Sequence, residues 1–357
     1  MGVRQVRRVG AYGVLRDDGG RVLLVRGSAH ADFPGVWSLP GGDLDHAEHP
    51  ASAVIRAVAE QTGLVVEVTG LRAVVADVVP YPDLGVALHT DRMLFDVTPV
   101  VEAPRSGRRR PHEPVAHSTE PELECGAEPE CGADSVARGA EPERGAEAEY
   151  GADSVARGAD AAERGGEPAG FLAPDEAAGV PLLPFTAEAL DLPVVPLPPE
   201  ALRRREPFGA PEPGRRQRFG AYGLVTDPAG RVLLAMIADG YPGAGQWHLP
   251  GGGTDHGEQP VTALLRELVE ESGQLGRVTQ LIGVDNLHTP AALGPEGYPI
   301  DWHGIRVVYR VVVDVPTEPA VTELAGGSTA RAAWFTSAEV RELQLTEIAA
   351  DALAAVA

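Results

Sequence analysis

Three glutamates in the second half of the chain are the residues best placed to do chemistry. Glu267, Glu270 and Glu271 stand at i, i+3 and i+4. On a helix, that spacing lets their carboxylates converge on one face. Like charges so placed destabilise a bare helix by roughly 0.2–0.5 kcal/mol per pair. A hard divalent cation reverses the sign. Oxygen ligands with retained water suit Mg²⁺, with Mn²⁺ as the alternative.

The elements that must position them are legible nearby. Pro260 and Gly273 punctuate a helix. Val261, Leu264, Leu265 and Leu268 form its apolar face, apart from the glutamates. Ahead lies a glycine-rich loop at 251–253. Before that, apolar runs at 222–225 and 232–234 flank Asp227-Pro228-Ala229-Gly230, which reads as a hairpin. A long strand is expected over 306–314.

The residues from Gly251 to Gly273 closely resemble the Nudix box, G-x5-E-x7-R-E-U-x-E-E-x-G-U, with U a bulky apolar residue. Gly252, Glu258, Arg266, Glu267, Glu270, Glu271 and Gly273 all match. Only the last position departs: Gln274 stands where U is expected, and a small cost in stability follows. The resemblance implies an α/β fold, the Nudix α/β/α sandwich around a mixed β-sheet. It implies hydrolysis of a diphosphate bridge in a nucleoside diphosphate derivative or a nucleoside triphosphate, by Mg²⁺-assisted attack of water. It assigns catalysis to Glu267, Glu270, Glu271 and Arg266. Metal would be held by those three glutamates and the Gly251 carbonyl. Arg266 and Glu258 would brace the loop against the helix, with Gly252 and Gly273 in support. Members of the family differ on which glutamate is the base.

The box has a partner upstream. Gly10-Ala11-Tyr12-Gly13 recurs as Gly220-Ala221-Tyr222-Gly223, and Trp37-Ser38-Leu39-Pro40-Gly41-Gly42 recurs as Trp247-His248-Leu249-Pro250-Gly251-Gly252, at one offset of 210 residues. His89-x-x-Arg92 echoes His303-x-x-Arg306. One domain is duplicated. The first copy keeps Gly42, Glu48, Arg56, Glu60 and Gly63, but Ala57 and Gln61 replace Glu267 and Glu271, and Ala47 replaces Gly257. Ala57 offers no ligand and Gln61 no charge. Copy one should keep the fold without ordinary Nudix catalysis.

The expected domains are a degenerate copy at 8–196, a linker at 197–216 and a catalytic copy at 217–357. An acidic insertion at about 103–169 interrupts copy one. Its segment 132–140 recurs verbatim as 151–159, and 118–167 carries 14 acidic and 4 basic residues. Such a stretch lacks the apolar surface to offset its ordering entropy, so disorder is expected. Cys125 and Cys131 lie within it and read as incidental thiols.

The formal charge of −22, with every basic residue an arginine, argues against wrapping a nucleic-acid strand. A small nucleotide is compatible, because metal supplies the missing positive charge. No apolar run approaches the roughly 18 residues of a membrane span, and no signal peptide is visible, so a cytoplasmic location is expected. The composition suggests a bacterial source. Partner expectations are an intrachain pairing of the two copies or a homodimer. The alternative to an enzyme is a nucleotide-binding sensor or scaffold.

Lesser candidates carry plainer readings. Trp37 and Trp247 are expected in the core, His46 and His256 as solvated loop histidines, and His89 and His303 as structural. Glu323 could add a carboxylate, and Pro290 reads as a loop proline.

Overall fold

Each copy opens with the same tight turn. Asp17 Oδ1 accepts the N–H groups of Gly19 and Arg21 at 3.0 and 2.8 Å, and Asp227 Oδ1 accepts those of Ala229 and Arg231 at the same distances. Gly20 and Gly230 both take φ +76°, a conformation that favours glycine. These turns join β1 (Arg4–Val14) to β2 (Val22–Arg26), and β8 (Arg215–Thr226) to β9 (Val232–Ile237). The computed structural model describes residues 3–29, 31–100, 168–197, 201, 214–293, 298–322 and 327–355. All but the last two residues of the expected acidic insertion and most of the linker, with Cys125, Cys131 and Glu323, lie outside them.

After β3 (Trp37–Ser38) and β4 (Gly41–Asp43), α1 (Pro50–Thr62) leads to β5 (Val66–Tyr81) and β6 (Val86–Pro99). Copy two repeats the order with β10 (Trp247–His248), β11 (Gly251–Gly253), α4 (Pro260–Ser272), β12 (Arg277–Leu293) and β13 (Pro299–Val312). The opening strands lie parallel to the late ones, β1 to β6 and β8 to β13, while the other ladders between the described strands are antiparallel. A parallel pair needs a long crossover, and the loop and helix between them provide it. The sheets are therefore mixed, as expected. β7 (Ala169–Leu172) closes on β2, and β14 (Thr329–Phe335) on β9. Residues 169–172 thus rejoin copy one after the long detour.

Short helices cover the second face: α2 (Pro174–Ala178) and α3 (Pro184–Ala189) in copy one, α5 (Ser337–Val340) and α6 (Glu347–Ala354) in copy two. Leu24, Leu94 and Phe185 fill that layer in copy one, and Leu224, Trp247 and Ile348 in copy two. The opposite layer is shared. Val54, Val58 and Phe95 join Phe219, Leu264, Leu268 and Ile305 in one continuous core.

Polar clamps flank this shared core. Arg7 Nε donates to Asp91 at 2.8 Å, and the same guanidinium reaches the carbonyl and hydroxyl of Thr254. Gln259, at the N-terminus of α4, holds both backbone groups of Ala76 on β5. Gly257 N–H donates to His89 Nδ1 at 2.9 Å, and Ala47 N–H to His303 Nδ1 at 3.2 Å. Both receiving histidines are fully buried, in keeping with a structural role. None of the described helices is long and apolar enough to cross a membrane.

Candidate active site

The glycines of β11 bring backbone and carboxylate into contact. Gly251 has φ +135°, and a Cβ there would strike the carbonyl of Ala221 on the neighbouring strand. A Cβ on Gly252 would lie 2.7 Å from Glu267 Oε1. One glycine serves the approach of strands; the other makes room for a carboxylate.

The helix runs as expected from Pro260 to Ser272, and Gly273 ends it at φ +68°, donating to the carbonyl of Val269. Arg266 braces it to the loop. Its Nε and second terminal nitrogen donate to the two oxygens of Glu258 at 3.0 and 3.1 Å, and it also reaches the Gly253 carbonyl at 3.3 Å. That pairing holds Glu258 below the usual carboxylate range and raises Arg266 further above its own. The remaining Arg266 nitrogen bridges Glu267 Oε1 at 3.0 Å and Glu270 Oε2 at 3.3 Å.

Glu271 turns the other way. It is only 4% exposed, so its carboxylate needs partners. Oε2 accepts the Gly251 N–H at 2.8 Å and Oε1 accepts the Thr329 hydroxyl. Glu267 and Glu270 are thus held by Arg266 and Glu271 by Gly251 N–H and Thr329, and the three carboxylates are not drawn together into one cluster. With the Gly251 carbonyl they would supply an all-oxygen donor set. Its charge and hardness fit a divalent cation such as Mg²⁺.

A basic wall stands beside it. The Arg218 guanidinium lies against Gly253, where a Cβ would collide with it. Arg306 is ion-paired with Asp285. Burial raises the Tyr222 phenol, against the fields of Arg218 and Arg306. Burial, helped by Arg306, lowers His248 to about 4, and its Nδ1 lies 2.7 Å from Thr346 Oγ1. Arg218, Tyr222, His248 and Arg306 went unassigned in the sequence. The available signal was an arginine inside an otherwise apolar strand, as at Arg306.

Copy one shows the same frame with two of the three glutamates replaced. Arg56 still grips Glu48, at 2.8 and 2.7 Å. Gln61 Oε1 accepts the Gly41 N–H at 2.9 Å, as Glu271 does in copy two, but Gln61 Nε2 donates to the Gly41 carbonyl at 2.8 Å. An amide N–H thus occupies the Gly41 carbonyl, a donation that the Glu271 carboxylate cannot make to Gly251. With Ala57 in place of glutamate, nothing lies within 4 Å of a Cβ on Gly42. Ala47 keeps φ +69° where Gly257 has +88°, a conformation alanine adopts only under strain. A cavity of about 340 Å³ remains in copy one, lined by Arg8, Tyr12, Arg92 and Gln61 among others.

Several lesser expectations change. His46 and His256 are half-buried and not free in a loop; each packs edge-on against the other copy's buried histidine, His303 or His89, with ring centroids 5.4 Å apart. Gln274 is no defect: it is 1% exposed, and its amide pairs with Thr317 through N–H at 3.0 Å and hydroxyl at 2.9 Å. Pro290 lies in β12 at a register shift between Thr289 and Ala292, where a missing N–H costs no ladder bond. Trp247 is buried and Trp37 packs against the second-face core, as expected.

Known proteins bear on this geometry. A family model for the NUDIX domain matches residues 6–118 and 216–356. An RNA pyrophosphohydrolase of Acidiphilium cryptum is 44% identical over 76 residues, 20% of this chain and 45% of that protein. A MutT-like protein of Streptomyces ambofaciens is 44% identical over 66 residues, 18% of this chain and 40% of that protein. The chain thus spans less than half the length of these curated relatives. A solved MutT NUDIX hydrolase from Burkholderia pseudomallei is 28% identical, with a TM-score of 0.30, over 40% of this chain and 99% of that one. With one matched segment in each of the two structural repeats, together more than half of its length, the chain belongs to the Nudix family.

Proposed function

We propose that copy two is a hydrolase of a diphosphate bond in a nucleoside diphosphate derivative or nucleoside triphosphate, and that copy one has no hydrolysis of its own. The observation that carries this is the contrast at one carbonyl. Glu271 accepts from Gly251 N–H and, as a carboxylate, cannot cap the Gly251 carbonyl, whereas Gln61 Nε2 caps the carbonyl of Gly41.

Mg²⁺ held by those glutamates and the Gly251 carbonyl would offset phosphate charge and lower the pKa of attacking water. The chain's own residues do the rest. Arg218 and Arg306 supply positive charge for phosphate oxygens. Glu271, fixed by Gly251 N–H and Thr329, stays in place as a ligand. Glu270 is 39% exposed at its side chain, so solvent reaches it, and it is the carboxylate assigned to take the proton of the attacking water.

The test is a substrate panel with and without Mg²⁺: ADP-ribose, a nucleotide sugar, an oxidised nucleoside triphosphate and a 5′-triphosphorylated oligoribonucleotide. The last is included because of the pyrophosphohydrolase relative. Glu270→Gln and Glu271→Gln are each expected to lower kcat by about 100-fold or more with an unchanged circular dichroism spectrum. Undiminished turnover in either variant overturns the assignment. A second reading concerns copy one alone. Its cavity keeps Arg8, Tyr12 and Arg92, the counterparts of Arg218, Tyr222 and Arg306, so it is suited to bind a phosphorylated ligand without cleaving it.

A further inference from the structure

The two flanks of the shared core are related by the repeat, yet they differ in chemistry. On one flank, His256 packs on His89 and its Nε2 meets the Ala87 carbonyl at 3.1 Å. On the other, His46 packs on His303, but the positions matching Val78 and Ala87 are His288 and Asp301. The strand registers make the match: Val78 pairs with His89 as His288 pairs with His303, and Ala87 and Asp301 each lie two residues before the buried histidine. Valine and alanine satisfy the packing on one flank. The polar pair His288 and Asp301, which joins His46 on the other, is therefore not required by the fold.

His46, His288 and Asp301 form a trio gathered around one oxygen. His46 Nε2 lies 3.0 Å from Asp301 Oδ1, and His288 Nε2 lies 2.7 Å from the same atom. All three donor atoms fall within 4.8 Å of one another. His46 Nε2 is shut off from solvent and, despite that short distance, makes no hydrogen bond of acceptable angle. The neighbouring His303 is already committed, accepting from Ala47 N–H and meeting Asn286 Oδ1 at 2.7 Å. Asp301 Oδ2 faces Arg215 Nε at 3.6 Å, which fixes the carboxylate with Oδ1 toward the histidines. The His288 and Asp301 side chains are 35% and 29% exposed, which leaves one side open to water.

We propose that His46, His288 and Asp301 form a binding site for a transition-metal dication of the Zn²⁺ class, tying the loop of copy one to the β12–β13 hairpin of copy two. Two imidazoles and one carboxylate are a three-ligand set for four-coordinate Zn²⁺ with water in the fourth place. Ligand atoms around such an ion stand about 3.3 Å apart, so the present spacing needs only small side-chain adjustment. The nitrogen donors distinguish the site from the all-oxygen set at Glu267, Glu270 and Glu271, which favours Mg²⁺. No residue is common to the two.

The full-length protein, stripped with a chelator, is titrated with ZnCl₂ by calorimetry and with Co²⁺ by visible absorption. The Glu270→Gln variant, titrated in parallel, identifies any binding at the oxygen set. One equivalent of Zn²⁺ that survives Glu270→Gln is expected, with the d–d absorption of four-coordinate Co²⁺. His46→Ala and His288→Ala should each weaken that binding by at least about tenfold and abolish the rise in Tm on adding Zn²⁺. His256→Ala, the matching change on the opposite flank, should leave it intact and so controls for damage to the interface. No Zn²⁺ bound outside the oxygen set, or unchanged affinity in both His46→Ala and His288→Ala, overturns the proposal.

Discussion

Gln61 and Glu271 differ by an amide for a carboxylate, and that exchange decides what can approach the glycine carbonyl beside each. The amide can donate to Gly41 O as well as accept from Gly41 N–H, so copy one closes on itself. A carboxylate cannot donate, and its charge calls for a cation. Gln61→Glu is accordingly expected to destabilise the protein by about 1–3 kcal/mol, because it sets a carboxylate against a carbonyl and removes a donor. In the double variant Ala57→Glu with Gln61→Glu, added Mg²⁺ should recover part of that loss. Urea unfolding with and without Mg²⁺ checks both outcomes. A second single-residue effect lies at His248, whose pKa falls from the ordinary 6.5 to about 4 in the folded state. The unfolded chain binds a proton there that the folded chain refuses. This contribution to stability is complete above pH 6.5 and is lost as pH falls toward 4, to a limit of about 3 kcal/mol. Unfolding midpoints measured across that window should fall less steeply in His248→Gln than in the native protein.

The loop–helix unit repeats with one telling difference in how its glycines are used. At Gly252 an added methyl would press on Glu267, while at Gly42 it would meet nothing. Gly252→Ala should therefore lower kcat by about tenfold or more through displacement of Glu267, with little change in Tm, while Gly42→Ala should be silent in both. Equal effects at the two positions would show that the glycines serve the strand alone. Most of this unit was legible in advance. Pro260 and Gly273 mark its ends, and the apolar spacing marks its buried face, because a helix is specified by neighbours three and four residues away. Gln274 was not legible: its partner, Thr317, is 43 residues distant, so the motif alone made a bracket look like a flaw.

The two copies share one core layer, and Arg7 links them by pairing with Asp91 in copy one while donating to Thr254 in copy two. Asp91 is fully buried, and Arg7 is its cationic partner as well as the donor to Thr254 on the other copy. Arg7→Ala would strand that carboxylate in the interior, so a loss of about 3 kcal/mol is expected, read from urea or thermal unfolding of the full chain. The same contacts revise what the duplication alone suggests. Copy one looks self-sufficient in sequence, yet Val54, Val58 and Phe95 lie in a core that continues into Phe219, Leu264 and Ile305. Separated copies would expose that surface, which makes their pairing part of the fold.

By itself the sequence determined the family, the duplication, the helix that carries Glu267, Glu270 and Glu271, and the loss of two of the three carboxylates from copy one. All of these rest on residue type and short-range spacing, which secondary structure translates directly into shared faces. Tertiary structure alone decided what meets across long separations. Arg218 and Arg306 come to the same wall only because β8 and β13 run parallel across an 86-residue separation, seen in the pairing of Gln217 with His303. His46 comes to Asp301 across the interface of two copies. The reason is physical: strand register and domain packing are set by the whole buried surface, and no local pattern encodes which two distant side chains it will bring together.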